Sequence, residues 1–396
     1  MPEQSNEVQA LVARTREFVR REAIPIDDEF DGDIEAAGGD KVRARLQSAA
    51  RVAGLLAPNG PVEYGGLGLT MSQRAPVFEE AGYSLFGPVA LNVNAPDEGN
   101  VHLLDYVASS GQRDRYLKPL VEGKIRSAFA MTEPGPGAGS DPAALRTRAV
   151  KVTGGWLVNG HKHFITGADG ADVFIIMART SGEPGDNGGA TMFLAPGDAE
   201  GIDVVRHIRT MDRSMLGGHC EVRFADLFVP DGDVLGGVDE GFRCAQVRLG
   251  PARMTHVMRW TGAARRAHEV AVRYAATRQA FGQRLADLGM AQQMIADNEI
   301  DLAATRALLR DACAELDTGA HAVKITSIAK TFAAEALCRV VDRATQLCGG
   351  AGVASDLPVA KIARELRPFR IYDGPSEVHR WALARRAVRE VVGEQR

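Results

Sequence analysis

An apolar series near the C-terminal end limits most strongly how this chain can fold. Ile325, Ile328, Ala329, Phe332, Ala333, Ala336, Leu337, Val340, Val341, Ala344 and Leu347 recur at i, i+3, i+4 and i+7. That period predicts a long helix buried over one wide face. Many of the positions are small, so neighbouring helices can approach closely.

Upstream the period changes twice. Residues 1–127 read as a helical domain with Gly/Pro interruptions at Gly60-Pro61 and Gly65-Gly66-Leu67-Gly68. Val8, Leu11, Val12, Thr15, Phe18 and Val19 mark an amphipathic helix near its start. Residues 128–240 alternate in the manner of strands. The candidates are Trp156–Gly160, Val173–Ala178, Thr191–Leu194, Ile202–Val205 and Glu221–Val229. Gly182–Gly189 reads as a surface loop. Short strands without intervening helices predict an antiparallel β domain. Residues 241–396 return to the helical period, giving a helical bundle. The expected class is α+β: helices, a middle antiparallel β domain, then helices.

Hydrophobic residues make up 45% and charged residues 25% of the 396, as in soluble globular proteins. Net charge is −4, but residues 241–396 carry 24 Lys+Arg against 16 Asp+Glu, and the first 240 carry 23 against 35. The basic C-terminal part points either to an anionic ligand or to solvated helix faces. Cys220, Cys244, Cys313, Cys338 and Cys348 form no CxxC pair, which suits a reducing compartment. No apolar run of about 18 residues or apolar signal core is present, so the expectation is a cytoplasmic protein with no membrane span.

Five stretches carry candidate chemistry. Thr132-Glu133-Pro134-Gly135-Pro136-Gly137-Ala138-Gly139-Ser140-Asp141 is either a plain loop or one whose backbone N–H groups approach phosphate. It lacks the spacing and βαβ context of a dinucleotide fingerprint. His161 and His163 share a strand face, but no further metal ligand is evident nearby, so no metal is expected. Arg278-Gln279-Ala280-Phe281-Gly282 closes a helix. Gln346-Leu347-Cys348-Gly349-Gly350-Ala351-Gly352 has more glycine than one helix cap needs, so its backbone either caps the helix or packs close to a ligand or chain. Ile371-Tyr372-Asp373-Gly374-Pro375-Ser376-Glu377 is a turn whose Asp373 could also act as a general base.

Order and spacing decide what single motifs leave open. Phe129-Ala130-Met131-Thr132-Glu133-Pro134 through Asp141, Asn159-Gly160 with Phe164-Ile165-Thr166-Gly167, Arg278 with Phe281-Gly282, Gln346 with Gly349-Gly350, and Tyr372-Asp373-Gly374 together resemble the acyl-CoA dehydrogenase family along nearly the whole chain. Ala95–Asn100, Arg248–Pro251 and Asp373–His379 are similar to one subgroup. That subgroup is typified by the dehydrogenase domain that some eukaryotic members carry behind a kinase-like domain.

The resemblance implies an N-terminal helical domain, a middle β domain and a C-terminal four-helix bundle, with FAD as cofactor. It implies that Phe129, Met131, Thr132 and Gly139 lie along the flavin, and that Ser140 reaches toward the phosphates or the CoA arm. Phe164, Ile165 and Thr166 would cover another part of the ring, with Thr166 near N5. Arg278, Phe281, Gln346, Cys348, Gly349 and Gly350 would contact FAD across a subunit interface in a homo-oligomer, a tetramer or a dimer. Ser376 and Glu377 would complete the cofactor set, and Arg253 and Gly374 would bind substrate. Arg253 lies 25 residues before Arg278, as the family's CoA-side arginine does.

Asp373 is then the expected base. Relatives place Glu at that turn, or on the helix position that is Ala252 here. Asp is shorter than Glu by roughly 1.3–1.5 Å, so the turn or the substrate must shift to compensate. Pro375 stands where many relatives have Thr, Gly289 where some have Gln, and the flavin loop is two residues longer than in many members. The implied reaction oxidises an acyl-CoA thioester to a trans-2-enoyl-CoA. Asp373 takes the α-proton in a desolvated pocket that raises its pKa, and flavin N5 accepts the hydride. Electrons would leave to an electron-transferring flavoprotein. Two rivals use the same scaffold: a flavin oxidase acting on acyl-CoA or a nitroalkane, and a non-catalytic nucleic-acid-binding relative. No basic tract with interleaved aromatics supports the second, so no nucleic acid is expected.

Overall fold

Strand pairing organises the middle of the chain. In the computed structural model, which describes residues 5–393, eight strands form one sheet. They are β1 Ser127–Ala130, β2 Arg148–Val152, β3 Gly155–Thr166, β4 Val173–Arg179, β5 Ala190–Pro196, β6 Ile202–His207, β7 His219–Pro230 and β8 Val234–Leu235. The order β6-β7-β3-β2-β4-β5-β8 contains every strand expected from the sequence. The neighbours pair antiparallel except β2–β4, which meet in a single parallel pair, Arg148 opposite Arg179. β1 is the other exception: it pairs parallel with β4, Ser127 opposite Val173 and Ala130 opposite Ile176. β4 is buried at every residue, which explains its unbroken apolar run Val173-Phe174-Ile175-Ile176-Met177. Phe174, Phe193, Phe224, Trp156, Leu227 and Val229 fill the core on this sheet.

The described chain clusters into two compact units. Residues 34–69 and 89–249 form the unit that contains the sheet, with helices Asp40–Val52 and Asp97–Val107. Residues 5–33, 70–88 and 250–393 form a helical unit. The N-terminal helices are therefore divided between the two, because Asn6–Phe18 and Met71–Ala81 belong to the helical unit.

Within the helical unit, the apolar series becomes the helix Val323–Leu347. It packs against Gly289–Asp317, Val359–Leu366 and Ser376–Val392. Its buried positions include Ala329, Ala333, Ala336, Leu337, Val340 and Ala344. Each buried Leu or Val of such a face contributes about 1.5–3 kcal/mol. Met71–Ala81 starts with a capping box, in which Thr70 and Gln73 bond each other's backbone N–H. The helix Gly241–Thr277 meets the C-terminal end of Met71–Ala81 closely: a Cβ on Gly82 would lie 1.9 Å from the Arg259 carbonyl oxygen, and one on Gly262 2.0 Å from that of Glu79. Only glycine permits that approach. Asp27, fully buried, is matched by Arg266 at 2.9 Å and Lys361 at 2.8 Å, so its charge is compensated where it lies. Among the described residues, no helix is long and apolar enough to cross a membrane.

Candidate active site

The loop after β1 is built around one buried carboxylate. Glu133 Oε1 accepts from Thr147 N at 2.8 Å, Thr147 Oγ1 at 2.5 Å and Lys162 Nζ at 3.0 Å. Its Oε2 accepts from Arg146 N at 2.8 Å and Ala138 N at 3.1 Å. Burial works to raise the Glu133 carboxyl, but Lys162 and the Thr147 and Arg146 bonds outweigh it and hold the group at about 2. Burial pushes Lys162 down to about 8 against the opposing pull of Glu133. Lys162 also donates to the Met131 carbonyl at 3.0 Å. Arg179, buried, donates to the carbonyls of Ala143 at 2.8 Å and Leu145 at 3.0 Å. The segment 131–147 thus has its shape set from inside, while Gly135, Gly139 and Ser140 remain exposed.

Beside it runs β3. His163 N donates to the Thr132 carbonyl at 2.9 Å, which joins the two segments expected to face a flavin. The β3–β7 register slips between Lys162 and Ile165, and Phe164 sits there in left-handed backbone (φ +55) with half its surface exposed. The slip turns an aromatic face outward beside Thr132. Phe129 has the Arg248 guanidinium 4.2 Å from its ring centroid, and Arg248 Nε donates to Asn100 Oδ1 at 2.8 Å. Ile165 places its side chain in the core and pairs with Cys220 of β7. Thr166 Oγ1 lies 2.9 Å from His219 Nδ1, and His219 Nε2 lies 2.8 Å from Asp212 Oδ2. An exposed ring next to partly exposed Met131, Thr132 and Thr166 fits the flat, mixed-polarity edge of a flavin.

The helical unit carries the other candidates. Asp373 (φ +53) and Gly374 (φ +94) both adopt left-handed backbone, making the turn before the helix Ser376–Val392. A Cβ on Gly374 would lie 2.7 Å from His379 Nε2, so glycine is required there. The turn is held by its carbonyls. Arg253 Nε donates to the Asp373 carbonyl at 3.0 Å, and His379 Nε2 lies 3.1 Å from the same oxygen. Lys330 Nζ donates to the Gly374 carbonyl at 2.7 Å. Burial, with Arg253 and Lys330 nearby, pushes His379 down to about 4, so it serves as a neutral donor. Burial lowers Lys330 to about 8, although Asp373 pulls it up. Burial likewise lowers the Arg253 guanidinium, again against Asp373. The Asp373 carboxylate Oδ2 lies 3.3 Å from His256 Nε2.

Asp373, Gly374 and Arg253 are therefore brought together. Arg278 and Phe281 lie elsewhere in this unit: the helix ends at Thr277, and Gln279–Ala280 pairs with Gln283–Arg284 in a small hairpin that displays Phe281 almost fully. The expected helix end is thus followed by an ordered two-stranded turn. Gln346, Gly349 and Gly350 are exposed at the end of Val323–Leu347, whereas the Cys348 side chain is buried. Glu377 is exposed and Ser376 buried in the first turn of its helix. His161 pairs with Glu221 at 2.6 Å, and among the described residues no group of His, Cys, Asp and Glu is placed to hold a metal.

Sequence reasoning gave no role to Lys162, Arg179, His219, His256, Lys330 or His379. Some signals existed. Lys330 interrupts the buried face between Thr326 and Ala334, and Arg253, His256 and Arg259 recur every third residue on one helix.

Three family models match the chain: the acyl-CoA dehydrogenase N-terminal domain over residues 5–124, the middle domain over 128–227 and the C-terminal domain over 239–388. The Mycobacterium tuberculosis protein named "Probable acyl-CoA dehydrogenase FadE2" is 38% identical over 325 residues, 80% of this chain and 79% of its own length. Acyl-CoA dehydrogenase family member 11 of Mus musculus is 33% identical over 96% of this chain, which spans 50% of that relative's length. The solved butyryl-CoA dehydrogenase of Megasphaera elsdenii superposes with a TM-score of 0.87 at 26% identity, covering 98% of this chain and 99% of that one.

Proposed function

Because the chain belongs to the acyl-CoA dehydrogenase family, we propose that it oxidises an acyl-CoA thioester to the trans-2-enoyl-CoA, with Asp373 as the α-proton base. The observation that carries the reading is the Asp373 turn, whose two carbonyls are held by Arg253, His379 and Lys330 while the carboxylate reaches His256. A base needs a fixed position relative to its proton, and a turn secured through its backbone provides one. Bound FAD supplies the hydride acceptor, at N5. On this chain, Phe129, Met131, Thr132, Gly139, Ser140, Phe164, Ile165 and Thr166 would hold it from the sheet-bearing unit. Arg278, Phe281, Gln346, Cys348, Gly349 and Gly350 would contact FAD bound mainly by a neighbouring subunit, and Ser376 and Glu377 would complete the cofactor set. Arg253 and Gly374 would bind the thioester end, with Ser140 on the CoA arm.

The resemblance supports an electron-transferring flavoprotein as acceptor and a homotetramer as assembly. It also supports fatty acid β-oxidation as the setting, and cysteines without a CxxC pair suit a reducing compartment such as the cytoplasm. The test is anaerobic mixing of the FAD-loaded protein with butyryl-, octanoyl- and palmitoyl-CoA. The parent should bleach with at least one of them. Asp373→Asn should keep its yellow colour and bleach slower by about a hundredfold or more. Bleaching of that variant at the parent rate would remove Asp373 as the base. Oxygen consumption at the parent turnover rate would move the assignment to an oxidase.

A further inference from the structure

The groups around the Asp373 turn divide by what they touch. Arg253, His379 and Lys330 engage backbone carbonyls. His256 instead reaches the carboxylate, Nε2 to Oδ2 at 3.3 Å. It is 8% exposed and packed between rings, 4.8 Å from the Tyr372 centroid and 6.0 Å from that of Phe369. Its other nitrogen, Nδ1, lies 2.9 Å from Arg259 Nη2. A guanidinium only donates, so Nδ1 must accept, and the ring proton sits on Nε2, the nitrogen that lies 3.3 Å from Asp373 Oδ2. Arg259 thus fixes the His256 tautomer by a hydrogen bond, and the protonated Nε2 stands within ion-pair distance of the Asp373 carboxylate.

We propose that His256 is the positioning residue of the base. Its imidazole, locked by Arg259 as the Nε2–H tautomer, fixes the carboxylate of the short Asp373 so that the other oxygen faces the substrate. This rests on the reading of Asp373 as base and gives that reading its specificity. An aspartate has one fewer torsion than a glutamate and a shorter reach, so a small error in carboxylate direction is not absorbed by the side chain. A donor to one oxygen sets that direction. It also stabilises the charged, proton-accepting form, so its loss must move the base's titration upward. The other charged and titratable groups around the turn are Tyr372 in the turn itself, Arg253 on the His256 helix, Lys330 and Glu335 on Val323–Leu347, and Glu377 and His379 on Ser376–Val392. All of them stay in place in the variants below.

The experiment measures the rate of anaerobic flavin bleaching against pH, using whichever of butyryl-, octanoyl- and palmitoyl-CoA reduces the parent. His256→Ala should slow bleaching about tenfold to a hundredfold and move the acid limb to higher pH, with acyl-CoA affinity changed less than about threefold. His256→Met fills the space without a donor and should do the same, which keeps the inference decidable if the alanine chain does not fold. His256→Gln can accept from Arg259 and donate to Asp373 through one amide, and should recover most of the rate with the limb back at the parent pH. An unmoved rate and limb in the Ala or Met variant overturns the inference, as does a Gln variant no better than Met. A parent that bleaches with none of the substrates, or an Asp373→Asn variant that bleaches normally, would strike the underlying reading instead. The His256 variants are read only against a parent that bleaches and an Asp373→Asn variant that does not.

Discussion

Two turns with candidate chemistry are held in opposite ways. The loop after β1 is gathered around an acid: Glu133 collects backbone N–H groups from Ala138, Arg146 and Thr147 and is neutralised by Lys162. The Asp373 turn is gathered around bases: Arg253, His379 and Lys330 take its carbonyl oxygens. In the first, the carboxylate is consumed by structure and its exposed glycines face outward. In the second, backbone acceptors satisfy the structural donors and the carboxylate is kept for contact with His256. A carboxylate can organise a loop or act on a substrate, and what satisfies the neighbouring backbone decides which.

The largest way to break this contrast is at Glu133. Glu133→Ala strands a buried ammonium and three backbone N–H groups, which should cost about 3–5 kcal/mol. A denaturant midpoint reads the loss, and FAD retention should fall with it. Adding Lys162→Met should recover part of the stability, since the charge left behind carries much of the cost. A single variant as stable as the parent would show that the loop is held by something other than Glu133.

The next effect sharpens the other turn. Asp373→Glu extends the base by roughly 1.3–1.5 Å in a turn arranged for the shorter side chain. Bleaching by acyl-CoA should fall about tenfold, with the fold unchanged by circular dichroism. A Glu variant as fast as the parent would mean that the turn tolerates both lengths and that the departure from the family's usual Glu carries no compensation.

How far this was legible beforehand follows from what is local. The apolar series set the helix Val323–Leu347, and short apolar or alternating runs bounded by turns set β3 to β7, because both signals lie within one element. The parallel pairing of β1 with β4 joins residues far apart in sequence and left no local trace. The motif order pointed to Asp373, Gly374 and Arg253, which the structure places together. The supports escaped because Lys162, Lys330 and Arg179 are ionisable residues with less than 2% exposure, and in a sequence a charged residue reads as a solvated one. Only the partner across the fold shows why it can be buried.

The smallest effect tests how the Asp373 turn bears its buried ammonium. Lys330 titrates at about 8 in the folded chain, against 10.5 for a free lysine. Below pH 8 both states hold the proton, and the folded state carries the full cost of burying it. Between about 8 and 10.5 the unfolded chain binds more protons, so stability from this group rises with pH. The slope is at most about 1.4 kcal/mol per pH unit. Buried cysteines and tyrosines whose pKa values are raised, such as Cys313 and Tyr116, work the other way. The prediction therefore concerns a difference. Stability of the parent minus that of Lys330→Met, from urea titrations at pH 7.5, 8.5 and 9.5, should increase with pH. A flat difference would place the ammonium in a solvated setting, and the turn would then be held by Arg253 and His379 alone among the three donors to its carbonyls.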